Sequence, residues 1–340
     1  MGKKYLITGG AGFIGSNYAR RLLENNSVVV FDNLSRKGAD ANLDWIGEYH
    51  TFIHINGDVR DFAAVKEAVD RVKPDVIVHL AAQVAVTTSV DDPRTDFNTN
   101  ALGTFNVLEA ARLSGRKPQV LYASTNKVYG ELEDLEIVEE STRYSISKFP
   151  HGIDESHGLD FHSPYGCSKG CGDQYMRDYY RMYGIPTTVF RQSCIYGPRQ
   201  FGIEDQGWVA WFIIAVILGK PINIYGDGKQ VRDLLYIDDL LDAYDAAIEN
   251  KEKSQGQIFN IGGGVENSIS IWQEFAPILE EIHGQKIPTE LHGWRPGDQK
   301  VYISDISRIK QALNWAPKNN VRTGIEKLYK WVLENKALFA

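Results

Sequence analysis

The first half of the chain alternates short apolar runs with amphipathic stretches. Runs at Tyr5–Thr8, Ser27–Phe31, Thr51–Asn56, Val76–His79, Gln119–Ala123 and Thr187–Arg191 predict strands, and the spacing between them predicts helices over Ile14–Asn25, Ala63–Val72 and Asn100–Ser114. Strands that read as continuous apolar runs, separated by helices, imply a parallel sheet covered on both faces. After Arg191 the alternation weakens. Gly and Pro then punctuate the chain at Gly197-Pro198, Gly219-Lys220-Pro221, Gly226-Asp227-Gly228 and Arg295-Pro296-Gly297, the mark of a smaller, loop-rich region. A strand–helix pattern over Leu234–Asn250 is expected to return to the sheet. The pattern therefore predicts an α/β fold: a doubly wound parallel sheet over residues 1–195 with a return segment at 230–262, and a discontinuous α/β substrate domain over 196–340.

Composition narrows the partners. A length of 340 residues suits one large or two coupled domains. With a net charge of -7 the chain has no basic excess to neutralise phosphates, so no nucleic-acid partner is expected, although a small anionic substrate needs only a few local arginines. No apolar run is long enough to predict a membrane span. Met1-Gly2-Lys3-Lys4 leads straight into the first strand, so no signal peptide is expected, and Leu6 stands where a myristoylation motif has Ser or Thr. Three cysteines (Cys167, Cys171, Cys194) cannot all pair, which suits a reducing cytoplasm. None has a ligand-spaced His or Cys beside it, and no metal is expected. His79 ends a buried strand and is read as structural.

Thr8-Gly9-Gly10-Ala11-Gly12-Phe13-Ile14-Gly15 follows one predicted strand and opens one predicted helix. Glycines are needed where the chain turns sharply, where backbone approaches a pyrophosphate and where helix packs on strand. The helix N-terminus offers N–H groups and partial positive charge to phosphates. Asp32 ends the second strand, where a carboxylate accepts both ribose hydroxyls and repels a 2′-phosphate. The unit is thus read as a Rossmann-type βαβ that binds NAD rather than NADP, with Arg36 and Lys37 nearby as the contrary feature. Asp58, in Asp58-Val59-Arg60, is either an acceptor for the adenine amino group or a turn or helix cap.

Tyr165 and Lys169, at i and i+4, share one helix face. Tyr165 would take the proton of a substrate hydroxyl, although an unperturbed phenol titrates near ~10. A cation at ~4 Å in an effective dielectric of ~20 supplies about 4 kcal/mol, enough to bring that value to neutrality. Lys169 and the positive nicotinamide ring are expected to provide it.

Several segments recur in a known order: the glycine motif, His79-Leu80-Ala81-Ala82-Gln83, Asn100-Ala101-Leu102-Gly103-Thr104, Ser124-Thr125, Tyr165-x-x-x-Lys169 and Arg191-x-x-x-x-Tyr196-Gly197-Pro198-Arg199. Together they resemble the extended short-chain dehydrogenase/reductases that act on nucleotide sugars. The resemblance covers nearly the whole chain. It implies Thr125, Tyr165 and Lys169 as catalytic residues. It implies cofactor contacts from Gly9, Gly12, Phe13, Ile14, Gly15, Asp32, Asn33, Ser35, Arg36, Asp58, Val59, Leu80, Ala81, Ala82, Gln83 and Asn100, besides Tyr165 and Lys169.

Members that eliminate water carry Asp-Glu directly after the Thr; Asn126-Lys127 stands there in this chain. Thr125-Asn126-Lys127-Val128 is similar instead to the subgroup of CDP-tyvelose (CDP-paratose) 2-epimerases. So are Asp32 to Ala39, Leu159 to Pro164, Asp205-Gln206-Gly207-Trp208-Val209 and Gly228 to Asp233. The subgroup implies a CDP-sugar substrate and transient oxidation. Tyr165 takes the 2-hydroxyl proton, the C2 hydride goes to tightly bound NAD, and the 2-keto sugar is re-reduced on its other face. Thr125 orients the hydroxyl.

The resemblance places substrate contacts at Gln83, Thr125, Asn126, Lys127, Gln192, Arg199, Gln206, Arg232, Arg295 and Asp298. Arg232 and Arg295 are read as diphosphate partners or, alternatively, as salt bridges with Asp233 or Asp298. Asn126 and Lys127 either recognise the sugar or shape the loop. Trp208 and Trp211 either pack in the core or stack on the pyrimidine. A UDP-sugar 4-epimerase is the alternative enzyme, since the same three residues serve at C4, and a non-catalytic NAD-sensing protein is the alternative of another class. Related enzymes associate through two helices of the first domain, one here Gly166–Tyr183, which implies a homodimer or homotetramer.

Overall fold

The apolar runs form strands close to their predicted places in the computed structural model, which describes residues 2–48, 50–204, 206–295 and 298–339. Asp205, Pro296 and Gly297, each part of a segment singled out above, lie outside the described residues. The chain opens with β1 (Lys4–Thr8), α1 (Phe13–Leu22), β2 (Ser27–Asp32), α2 (Ala39–Gly47), β3 (Ile53–Asn56), α3 (Phe62–Val72) and β4 (Val76–His79). Two short helices follow, α4 (Val86–Asp91) and α5 (Pro93–Phe97), then a π-helical turn at Asn98–Leu102, α6 (Gly103–Leu113) and β5 (Gln119–Thr125). Next come the hairpin β6 (Ile137–Glu139) and β7 (Tyr144–Ile146), α7 (Pro164–Tyr183), β8 (Thr187–Gln192), β9 (Cys194–Tyr196) and α8 (Trp208–Leu218). β10 (Ile222–Tyr225), β11 (Val231–Tyr236), α9 (Ile237–Glu249), α10 (Lys251–Ser254), β12 (Gln257–Ile261) and β13 (Ser268–Ser270) continue the chain. It ends with α11 (Phe275–His283), β14 (Thr289–His292), β15 (Val301–Tyr302), α12 (Ser307–Leu313) and α13 (Val321–Glu334).

A seven-stranded sheet runs β12-β8-β5-β4-β1-β2-β3, and β5, β4, β1, β2 and β3 are paired in parallel. The order reverses between β1 and β4. Their C-terminal residues Thr8 and His79 are register partners, so they flank the crevice in which doubly wound sheets take ligands. The chain divides into two compact units: residues 1–125, 163–191 and 243–259, and residues 126–162, 192–242 and 260–340. No composition shift marks 126–162 as belonging to the second.

The segment expected to return to the sheet does so only at its end. β11 pairs in parallel with β9 and β15 and antiparallel with β13, in a small sheet of the second unit, and β12 alone enters the large sheet. All six residues of β11 are buried. A strand buried on both faces fits either sheet, and periodicity cannot choose its partners.

In the first unit one face of the large sheet is covered by α3, α6 and α7, whose Val65, Ala68, Val69, Val107, Leu108, Ala110, Ala111 and Met176 pack on Leu6, Val29, Phe31, Ile77, Val120 and Tyr122. Capping sets the helix starts. Asp61 accepts from the backbone N–H groups of Ala63 and Ala64 ahead of α3; Ser163 accepts from Gly166 with Pro164 opening α7. Within the described residues no helix is long and apolar enough to cross a membrane.

A buried ion pair joins α7 to β8. Asp173 and Arg191 are 0% and 3% exposed, with the guanidinium 2.9 Å from the carboxylate, and Asp173 also accepts from the Ser124 hydroxyl at 2.9 Å. Breaking such a pair by removing one partner costs about 3–5 kcal/mol, because a charge is left buried. Asp173→Ala is expected to lose stability on that scale in a urea denaturation curve; a loss within the noise of a surface substitution contradicts the assignment.

Candidate active site

Between β1 and α1 the chain makes the turn that the glycines predict. Gly9 has φ +70°, and a Cβ there would lie 2.6 Å from the Ala81 nitrogen. A Cβ on Gly15 would lie 2.3 Å from the Gly9 oxygen, so α1 approaches the turn as only glycine allows. No side chain caps the start of α1 at Gly12, which leaves the N–H groups of Phe13, Ile14 and Gly15 at the positive end of the helix. Asp32 stands at the end of β2, its carboxylate 3.0 Å from the Ala11 nitrogen and 2.8 Å from the Leu34 nitrogen. The crevice side of β1 and the acid are thus tied together before any ligand binds.

Around them, Asn33 donates to Asp58 at 2.9 Å and shapes its own turn by accepting from the Ser35 nitrogen. Asp58 accepts from both the side chain and the backbone of Arg60, and the Arg60 guanidinium holds its carboxyl below the usual range. Of the two readings for Asp58, the turn is the one these bonds show. Val59 is buried, Arg36 exposed, and Leu80, Ala81 and Ala82 follow β4 half-buried. Gln83 folds back on Ala85, donating to its carbonyl at 2.7 Å. Asn100, 1% exposed, accepts from the Gln83 nitrogen at 2.9 Å and donates to the Gln83 carbonyl, Asp96 and Ser168. Its amide ties the stretch after β4 to α7. His79 is buried, with Nδ1 2.7 Å from the Thr8 hydroxyl and Nε2 3.0 Å from that of Thr104. Burial, then the Lys169 charge, pushes it down to about 3, so it is a neutral structural ring.

Thr125, Tyr165 and Lys169 come together in the first unit. Thr125 ends β5; its hydroxyl is hydrogen-bonded to the Tyr165 phenol on α7. The Tyr165 backbone N–H donates to Ser89 at 3.1 Å, which seats the first turn of α7 against α4. Lys169, one turn further, is 3% exposed and holds its ammonium 4.4 Å from the centre of the Tyr122 ring.

The electrostatics depart from expectation. Burial pushes the Tyr165 phenol up to about 12, Thr125 lowering it and Asp96 raising it further. Burial likewise pushes Lys169 down to about 7, against the pull of Asp96 and Asp173. Desolvation of the phenolate is a cost that any cation beside Tyr165 must exceed.

The remaining candidates belong to the second unit. Asn126 donates to Gln299 at 3.2 Å, and Gln299 donates in turn to the Gly130 carbonyl, so Asn126 shapes the loop after Thr125. Lys127 is half-buried; burial and the Arg232 guanidinium push it down to about 8. Arg232 is buried and pairs with Asp298 at 2.7 Å. Arg295 lies 3.7 Å above the Tyr225 ring and donates to the Glu204 carbonyl at 3.4 Å. Arg199, buried at φ +68°, sits 5.7 Å from the Trp331 ring. Gln192 is buried and Gln206 half-buried. Trp208 packs edge-on against Phe212 and Phe275, the core alternative.

The profile of the GDP-mannose 4,6 dehydratase family matches residues 6–328. The chain belongs to that family. It is thereby an NAD-dependent enzyme of the extended short-chain dehydrogenase/reductase superfamily, of the kind that epimerises or dehydrates nucleotide sugars at a hexose carbon. A CDP-paratose 2-epimerase of Salmonella typhi is 46% identical over 334 residues, covering 96% of this chain and 98% of that one. Among solved structures, UDP-glucose 4-epimerase of Thermotoga maritima with UDP-glucose superposes with a TM-score of 0.84 at 30% identity, covering 98% and 99% of the two chains. That of Thermus thermophilus in complex with NAD gives 0.80 at 31%, covering 96% and 98%. The family's cofactor fits the turn described: Gly9 and Gly15 leave no room for a Cβ, the helix start lacks a side-chain cap, and Asp32 is in place.

Asp96, Ser89 and Ser168 were missed in the sequence. Asp96 stands four residues before Asn100, so one carboxylate a helical turn ahead of the motif's amide was the available sign. The Lys169 shift also sets a stability test. The folded protein releases this proton near 7 and the unfolded chain near 10.5, so stability rises with pH across that window, where the unfolded state binds more protons. Lys169→Met is expected to melt higher than the parent protein at pH 6, without ligand, and to lose that advantage by pH 10. An advantage independent of pH contradicts the buried ammonium.

Proposed function

We propose that this enzyme epimerises the hexose of a CDP-sugar at C2, on a substrate of the CDP-paratose and CDP-tyvelose type. The observation that carries the reading is the 46% identity to a CDP-paratose 2-epimerase over 96% of the chain, against 31–33% for the dTDP-glucose 4,6-dehydratases. The segment after Thr125 supports it: Asn126 and Lys127 supply no acid–base carboxyl pair for elimination.

In this reading Gly9, Gly12, Phe13, Ile14, Gly15 and Asp32 hold NAD, which supplies a two-electron acceptor and donor beside the sugar. Tyr165, as phenolate, removes the proton of the 2-hydroxyl and returns it after the face has changed. Thr125 bonds both the phenol and the sugar hydroxyl and so fixes the oxygen that reacts. Lys169 keeps positive charge behind the tyrosine. Lys127, Arg232 and Arg295 are the cations of the second unit suited to the diphosphate.

A specific observation favours a second reading, a UDP-sugar 4-epimerase. The solved UDP-glucose 4-epimerases superpose over nearly all of the chain, and enzymes of UDP- and dTDP-sugars outnumber those of CDP-sugars among the relatives. Incubation with CDP-, UDP- and dTDP-sugars without added NAD decides between them. CDP-paratose deuterated at C2 is expected to give CDP-tyvelose with its label kept; turnover of UDP-glucose at C4 alone would establish the second reading. Tyr165→Phe is expected to lower kcat by about 10²–10⁴.

Two further parts of the proposal concern the setting of the enzyme. None of the three cysteines is in a disulfide, which supports a reducing, cytoplasmic location. α6 and α7 leave Phe105, Tyr175, Met182 and Tyr183 exposed, with the Phe105 and Tyr175 rings 5.7 Å apart. A contiguous aromatic face of this kind suits a homodimer, or one interface of a homotetramer. Light scattering of a Phe105→Glu, Tyr175→Glu double variant is expected to show a monomer at a concentration where the parent protein is at least dimeric.

A further inference from the structure

Asp96 lies on α5, outside every sequence motif that points to the chemistry, yet it is 0% exposed and touches the catalytic helix. One carboxylate oxygen accepts from the Ser168 hydroxyl and the other from the Asn100 amide at 3.0 Å. Ser168 is the neighbour of Lys169 and also donates to the Tyr165 carbonyl at 3.2 Å. The carboxylate therefore grips the stretch of α7 that joins the two residues. Among the described residues, the direct contacts of this buried carboxylate are neutral donors, and in a low-dielectric site its charge reaches further than it would in water.

We propose that Asp96 is a positioning residue of the reaction: it fixes the turn of α7 between Tyr165 and Lys169 and supplies the negative charge that sets where both of them titrate. The proposal rests on Tyr165 and Lys169 forming the catalytic pair. The other groups around them are accounted for. Asp173 on α7 is compensated by Arg191. His79 on β4 is neutral above pH 4. Tyr122 on β5 is held protonated by burial. Asp96 acts on both members of the pair, raising Tyr165 and supporting the charge on Lys169.

A negative charge favours the protonated form of every neighbour. Its removal lets both Tyr165 and Lys169 release protons more readily, so both limbs of the kcat/KM profile move to lower pH. The test uses the enzyme with its cofactor and whichever nucleotide sugar it turns over, from pH 5.5 to 10. Asp96→Asn is expected to shift both limbs down by about one pH unit. Ser168→Ala, which keeps the charge and removes the grip, is expected to leave the limbs in place whatever it does to kcat. Limbs that stay within 0.2 unit (about the error of such a fit) in Asp96→Asn would overturn the proposal.

A second measurement needs neither turnover nor a folded Asp96 variant. In aspartate-¹³C-labelled protein, the Asp96 carboxyl is expected to titrate higher in Lys169→Met than in the parent protein, since coupling between two charges is reciprocal. An unchanged midpoint overturns the inference. Full activity in Tyr165→Phe would instead sink the catalytic reading on which it rests, leaving this coupling to be judged by the carboxyl titration.

Discussion

Lys169 brings a positive charge to a place that water scarcely reaches, and much of the first unit is arranged around that fact. Taking an ammonium out of water costs several kcal/mol even after relaxation. The Tyr122 ring face at 4.4 Å offsets part of the cost, and Asp173 and Asp96 offset more. Each of these carboxylates has further bonds of its own. Asp173 also holds Arg191 of β8 and Ser124 of β5. Asp96 holds Ser168 and Asn100, and Asn100 holds the backbone of Gln83. Moving any one of β5, β8 or the π-helical turn against α7 would uncover a charge or strand a buried polar group. The rigidity that a hydroxyl-to-phenol contact such as Thr125 to Tyr165 requires is therefore supplied by the burial of the lysine.

The same burial explains why Tyr165 titrates high rather than low. A single cation near a phenol is sufficient on paper, but phenolate and ammonium are both desolvated here, and each loses its charged form to the apolar surroundings. The resident protein alone thus favours a neutral pair. In the proposed mechanism activation needs additional positive charge next to the tyrosine, which an oxidised nicotinamide would bring.

Much of this was legible in the sequence because it is local. Strand and helix periods, the glycine turn and the i, i+4 spacing of Tyr165 and Lys169 involve only neighbours along the chain, and the first unit follows them. What involves distant partners was not legible. β11 is apolar at most positions and buried throughout, so its sequence fits the large sheet as well as the small one it joins. Asn126 reads as a sugar contact or as a loop residue, and its bond to Gln299, far away in the chain, has no sign in the sequence. Arg232 and Arg295 look interchangeable, yet one is paired with Asp298 and the other lies on Tyr225. Asp96 carries no motif at all; its meaning comes from Ser168, 72 residues on.

In the proposed reaction Thr125, Tyr165 and Lys169 oxidise an alcohol, and nothing in that trio specifies which carbon of the ring carries it. Elimination would require an acid and a base beside the threonine. Here Asn126 is held by Gln299, and Lys127 is a cation close to Arg232. The segment therefore supports the proposed epimerisation over loss of water. Arg232 has its partner in Asp298, so a diphosphate bound there as proposed would share or displace that carboxylate. Arg295 lies on the Tyr225 ring and donates to the Glu204 carbonyl. In the proposed reaction the choice between C2 and C4 therefore falls to residues outside that trio.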